Sequence, residues 1–277
     1  MAATAPWPAP PEPAPPLRLN TFLHKWVIGV PPSLTTPAPL TGGRTARFAP
    51  ARLAMASARS EAGLLPVAAA VLVALPVFLQ APWVRVAPFS AALFTLPLVM
   101  TGLVLESRPD ARQRDAGALL VGFSGSWLGG CLFWGWCRLH PLWHLPIEAF
   151  ALPLALAGLR GRWRLAASFY LASLLGTACT DAVMAITGVM GSWTTVLQAP
   201  LELAPPLLQQ AARGVLEPLP LLITGLTGAS LTLLCRRYWH HPDSAWRLAA
   251  SAVATTLAVD GLFLAAALWA PQLSGLI

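Results

Sequence analysis

Apolar residues in this chain come in long blocks, and from Gly63 onward each block is close to 20 residues long. That length of helix crosses a hydrocarbon core of roughly 30 Å. Seven blocks are predicted as spans: Gly63–Val84, Val86–Leu105, Ala116–Trp136, Leu142–Leu159, Leu165–Val189, Pro218–Leu234 and Leu248–Ala270. None alternates as a barrel strand would. Lipid offers the backbone no outside partner, so each block is expected to be helical. The predicted fold class is an all-α integral membrane protein, a bundle of about seven transmembrane helices. Pro88 and Pro146 blur the edges of the second and fourth spans.

The first 60 residues follow a different pattern. Residues 1–50 hold 12 of the 28 prolines, which favours extended, solvated chain that cannot bury a core. Leu17–Val30 is apolar, but Arg18, His24 and Lys25 interrupt a run already too short to span, so it is expected as linker. Residues 44–60 carry Arg and Ala with little acid, the character of a transit peptide. A start at Met55 is the other reading of this stretch. The expected organisation is a disordered Pro/Ala/Arg-rich extension over 1–60 and a helical membrane domain over 63–270. Within that domain, residues 205–217 are predicted to form an amphipathic helix on the outer surface, with Gln209, Arg213 and Glu217 on one face.

The arginines orient the bundle. An inside N-terminus places 13 of them, from Arg44 onward, on the cytoplasmic side, in the end of the extension and in the loops around Arg108, Arg162, Arg236 and Arg247. Only Arg85, Arg138 and Arg213 fall outside. The positive-inside rule therefore predicts N-in, C-out. Trp83, Trp136, Trp143, Trp193 and Trp269 are then expected at the outer interface, and Trp163, Trp239 and Trp246 at the inner one.

Composition excludes other classes. The chain is 56% hydrophobic and 10% charged with a mean hydropathy of +0.63, where a soluble domain carries about 25% charged residues. A net charge of +7 from scattered arginines and one lysine does not form a nucleic-acid groove. Cys131, Cys137, Cys179 and Cys235 show neither a CxxC pair nor a disulfide framework.

Three carboxylates interrupt the spans: Glu148, Asp181 and Asp260. Left ionised and unpaired at mid-bilayer they would cost about 8–10 kcal/mol together, so each is expected to be protonated, paired or wet. Helix directions place Glu148 and Asp181 in the outer part of their spans and Asp260 near the middle of the seventh, where all three can face one cavity opening outward. The densest polar segment holds Arg138, His140, His144 and Glu148, the last three at i, i+4, i+8. Imidazoles and a carboxylate in that array suit proton transfer. They do not make a metal site here, because Pro141 leaves His140 in a cap and no second ligand set has matching spacing. The candidate functional residues are thus Glu148, Asp181, Asp260, His144, Arg138 and His140, with no catalytic residue and no metal. Gly122-Phe123-Ser124-Gly125 lacks a histidine base in any later span, so Gly125 and Gly129 are expected to serve close helix packing.

The strings LPVFLQAPWVR (Leu75–Arg85), FWGWCRLHPLWHLPIEAFALP (Phe133–Pro153), GTACTD (Gly176–Asp181) and DGLFLAAALW (Asp260–Trp269) resemble a cyanobacterial family of multi-pass membrane proteins, domain of unknown function 3120. The resemblance covers about residues 63–270 and matches His144, Pro146, Glu148, Asp181 and Asp260 to the family's polar positions. It implies a cyanobacterial thylakoid or plasma membrane, and it brings no activity. The first functional expectation is a non-enzymatic accessory or assembly protein of the photosynthetic membrane. Its partners would be photosynthetic complex subunits, and chlorophyll would be held by His144 or Glu148. The alternative is a proton-coupled small-solute transporter using the intramembrane carboxylates. A homo-oligomer packed through the small-residue face of the third span is a further expectation. The lipid bilayer is the one partner that composition itself requires.

Overall fold

Backbone hydrogen bonding within helices dominates the computed structural model, which describes residues 64–273. In chain order these residues form α1 (Leu64–Val86), α2 (Pro88–Glu106), α3 (Ala111–Cys137), α4 (His144–Glu148), α5 (Leu152–Gly158), α6 (Arg164–Ile186), α7 (Trp193–Gln198), α8 (Ala204–Gly214), α9 (Pro218–Tyr238) and α10 (Ser244–Trp269). No strand occurs among the described residues. Six helices, α1, α2, α3, α6, α9 and α10, are long and apolar enough to cross a membrane. The N-terminal extension, with Arg44, Arg47, Arg52, Arg59 and Met55, lies outside the described residues.

The fourth predicted span, Leu142–Leu159, is not one helix. It is a 3₁₀ turn at Pro141–Trp143, α4, a second 3₁₀ turn at Ala149–Ala151, and α5. Three prolines explain this. Pro141 and Pro153 each sit in the first turn of a new helical piece, where the missing N–H costs nothing. Pro146 has no N–H for the carbonyl four residues back.

Other boundaries shift for capping reasons. α3 begins at Ala111 rather than Ala116 because the Asp110 carboxylate accepts from Gln113 N at 3.0 Å. α10 likewise begins at Ser244, with Asp243 accepting from Ala245 N at 3.0 Å. α6 stops at Ile186, short of the expected Val189, because Gly188 takes a left-handed φ of 76° that ends the helix. The predicted amphipathic helix ends at Gly214, and Glu217 stands at the N-cap of α9 instead of continuing the Gln209–Arg213 face. Gln209 also donates to the Leu268 carbonyl at 2.7 Å, which ties α8 to the end of α10.

Helices α3, α6 and α10 run parallel. Gly122, Phe123 and Gly125 of α3 meet Ala166, Phe169 and Tyr170 of α6. Between α6 and α10 an offset of 79–80 residues is kept from Arg164–Asp243 through Gly176–Thr256 to Thr180–Asp260. Two parallel neighbours require a connection that retraces the bundle, so the broken α4–α5 segment returns the chain between α3 and α6. Arg162 pairs with Glu106 at 3.7 Å and Arg164 with Asp243, which gathers three arginine-bearing turns at one end.

Small residues make these approaches possible. A Cβ on Gly117 would stand 2.3 Å from Glu106 N, and one on Gly122 would stand 2.4 Å from Ala166 O. The small-residue face of α3, expected as a possible seam between subunits, is therefore occupied inside one chain. Lipid removes the hydrophobic drive between helices, so close contact of this kind carries the association. Large apolar side chains point outward, as with Phe89, Leu154 and Leu222. Trp83, half-buried near the end of α1, packs at 5.1 Å on Phe94 and 6.1 Å on Trp127 in an aromatic knot whose centre, Trp127, is fully buried.

Candidate functional site

The break at Ala149–Ala151 decides where Glu148 points. A helix interrupted in this way leaves backbone groups unpaired, and in lipid a neighbour must satisfy them. Tyr170 of α6 does so. Its hydroxyl donates to the Glu148 carbonyl and accepts from Ala151 N at 3.1 Å, bridging both lips of the break. Gly129 of α3 lets the broken segment close in from the other side, since a Cβ there would lie 3.1 Å from Glu148 Cα. Glu148 is thus held by backbone geometry before its carboxylate makes any contact.

His144 lies between two acids. Its Nε2 stands 3.2 Å from Glu148 Oε1, one turn along α4, and its Nδ1 stands 3.1 Å from the Asp181 carboxylate on α6. All three side chains are only 16–18% exposed. Phe133 covers the imidazole, with ring centroids 4.2 Å apart. It comes from a widened turn over Phe133–Cys137 at the end of α3. Next to it Trp134 packs on Trp193 at 5.5 Å, and Trp193 Nε1 donates to the Arg138 carbonyl at 2.7 Å. Aromatic rings therefore roof the His144 site.

One residue before Asp181, the Thr180 hydroxyl lies 2.6 Å from Asp260 Oδ2 on α10 and 3.1 Å from the Gly176 carbonyl. The hydroxyl donates to the Asp260 carboxylate, with the Gly176 carbonyl as its longer, shared acceptor. Asp260 thus joins the site through a hydroxyl rather than through a second imidazole.

The six candidate residues separate accordingly. His144, Glu148 and Asp181 meet directly, and Asp260 lies beside them through Thr180. His140 is exposed in the cap before Pro141 and stacks on Trp143 at 5.6 Å, away from the i, i+4 array. Arg138 is exposed and contributes its carbonyl. Tyr170, Thr180 and Phe133 were not legible as site residues. Each is an ordinary helix residue in sequence and gains its role only across a helix contact. The buried Gln80 is similar: its amide donates to the Trp127 carbonyl and to Cys131 Sγ, fixing α1 on α3. A lone amide inside a 23-residue apolar run was its available signal.

Chemically, an imidazole with a carboxylate at each nitrogen can take a proton on one edge and release one from the other. The imidazolium alone has a donor for each acid. The same geometry works against a metal centre, because the two carboxylates address opposite edges of the ring. Among the described residues no group of three or more His, Cys, Asp or Glu side chains is placed to hold a metal ion. Both nitrogens of His144 are also taken, which leaves none for the magnesium of a pigment.

The sequence pattern of a family described as protein of unknown function (DUF3120) matches residues 69–268, a range containing the whole site. No curated protein and no solved structure matches the chain.

Proposed function

The chain therefore belongs to the DUF3120 family, and from that premise and its site we propose that it is a proton-coupled membrane transporter for a small solute. The observation that carries this reading is the Glu148–His144–Asp181 array, with each imidazole nitrogen about 3.1–3.2 Å from a carboxylate. Ionisable groups at membrane depth are costly and typically line proton or ion pathways. Here they sit where a broken segment meets two continuous helices, the setting in which transporters place coupling sites. The topology we assign is seven passes, N-in and C-out. Six are the long helices and the seventh is the broken α4–α5 return; the arginine-bearing turns lie inside. The host membrane we assign, a cyanobacterial thylakoid or plasma membrane, rests on the string resemblance.

The test is proton flux in proteoliposomes loaded with the dye pyranine, driven by a potassium diffusion potential. Wild-type protein is expected to acidify or alkalinise the lumen in step with the imposed potential. Glu148→Gln, Asp181→Asn and His144→Ala are each expected to cut the rate at least about tenfold, the scale of a lost proton-transfer group. Unchanged flux in all three variants would sink the proposal.

The accessory reading is kept for one observation. His140 is exposed and its ring nitrogens have no hydrogen-bond partner among the described residues, so it retains a free ligand atom beside Trp143. Bound pigment, seen in the absorption spectrum of protein purified gently from native membrane and lost in His140→Ala, would favour that role.

A further inference from the structure

At the opposite end of the bundle from the His144 site, a cleft of about 610 Å³ opens between α9 and α10. The cleft's mouth lies about 24 Å from the level of Asp260 along α10, at 1.5 Å rise per residue, and its floor at Leu257 comes within one helical turn of Asp260. Thr232, Arg236, Trp239 and His240 supply one wall, and Ala254 and Leu257 the other. The α9 residues fall at helical spacing on one face, so the cleft changes character along its length. Its mouth is basic and aromatic, and its floor is small and apolar. Leu257 lies 13 residues into α10, about 20 Å from the helix start, so the floor reaches well into the lipid-facing part of the helix.

The acids at this end are already engaged. Glu106 pairs with Arg162, Asp243 with Arg164, and Asp110 caps α3. Arg236 has no carboxylate partner among the described residues, and it is exposed at the cleft mouth. Tyr238 stacks on Trp246 with ring centroids 4.6 Å apart, which steadies the α9–α10 turn that bears His240.

We infer that this cleft binds one anionic phospholipid, with its phosphate on Arg236 and His240 and an acyl chain against Ala254 and Leu257. Uncompensated charge at the mouth selects an anion, and an apolar floor at membrane depth selects an anion carrying a hydrocarbon chain. Basic pockets between transmembrane helices recognise lipid headgroups by this combination. Trp239 at the rim is placed as an interfacial anchor. The inference is independent of the transport proposal, since it uses none of the residues of the His144 site.

The experiment is native mass spectrometry of the delipidated full-length protein, titrated separately with dioleoyl-phosphatidylglycerol, dioleoyl-phosphatidylcholine and inorganic phosphate. Phosphatidylglycerol is expected to be retained as a single adduct and phosphatidylcholine to be lost. Arg236→Gln should weaken retention about fivefold, the effect of one interfacial cation. Arg237→Gln removes the same charge from the same helix outside the cleft and should leave retention unchanged. Leu257→Trp fills the floor and should abolish the adduct while the basic mouth stays intact. Equal retention of the two lipids, equal weakening by Arg237→Gln, or full displacement by inorganic phosphate alone would each overturn the assignment.

Discussion

The parallel core of α3, α6 and α10 and the broken return of α4 and α5 share one bundle and one solvent, yet they are built on opposite rules. In the core, and where α2 lies against it, continuous helices approach through glycine and alanine until backbones nearly touch, as at Gly122 on Ala166 and Gly117 on Glu106. In the return, prolines stop the helix twice and the freed backbone groups are satisfied by a neighbour's side chain, the Tyr170 hydroxyl. Regular helix satisfies its own backbone groups and packs closely. A break frees polar backbone groups and can display a carboxylate in a set direction. The rigid core therefore supplies Asp181 and Asp260, and the irregular segment supplies Glu148 and His144 facing them.

The contrast can be broken most severely where α2 meets α3 of the core. Gly117→Ala drives a methyl group into the backbone of α2, with 2.3 Å to Glu106 N and 2.5 Å to Gly102 O, so neither helix can yield by rotating a side chain. A loss of about 3 kcal/mol or more is expected, seen as a large fall in melting temperature or loss of the monodisperse peak in detergent. A neutral outcome would mean that α2 and α3 are farther apart in the membrane.

Next is Tyr170→Phe, which leaves core packing intact and strips the break of its bridge. Leaving the Glu148 carbonyl and Ala151 N–H without that partner should cost about 1–3 kcal/mol. Hydrogen exchange should rise locally over residues 148–152, while α3 and α10 keep their protection. Uniform loss of protection would make Tyr170 a general packing residue.

A smaller effect is expected at the link to α10. Thr180→Val keeps shape and removes the hydroxyl between Asp260 and the Gly176 carbonyl, for about 1 kcal/mol. Combined with Asp260→Leu, the two changes should cost less than their sum, because the carboxyl and hydroxyl serve each other. Strict additivity would show that they do not interact.

The smallest effect sharpens the first. Gly225→Ala on α9 adds the same methyl group as Gly117→Ala, but nothing lies within 4 Å of that position. Stability should change by less than about 1 kcal/mol, in the stabilising direction, from helix propensity alone. The pair thus separates a glycine required by contact from one that is merely tolerated.

Legibility in the sequence follows range of interaction. Length and apolarity located the six long helices, because the thickness of the hydrocarbon core acts on each segment separately. Their ends were off by several residues wherever Asp110, Asp243 or Gly188 acted as a local signal that hydropathy ignores. Glu148, Asp181, Asp260 and His144 stood out because polar groups in apolar runs are costly, and that cost is visible without a partner. His140 joined them on spacing alone, and spacing failed because Pro141 takes it out of the helix.

The sequence alone determined that this is a helical membrane protein, that it belongs with the DUF3120 strings, and that its acids must find partners. Each follows from composition or from forces acting within one segment. Only the tertiary structure decided which partners they find. His144 meets Asp181 across 37 residues and Thr180 meets Asp260 across 80. Those pairings depend on the parallel alignment of α3, α6 and α10, which small residues allow and no single helix encodes. The broken return was likewise a tertiary decision: prolines mark where a helix can fail, but only a hydroxyl from a neighbouring helix makes the break stable in lipid.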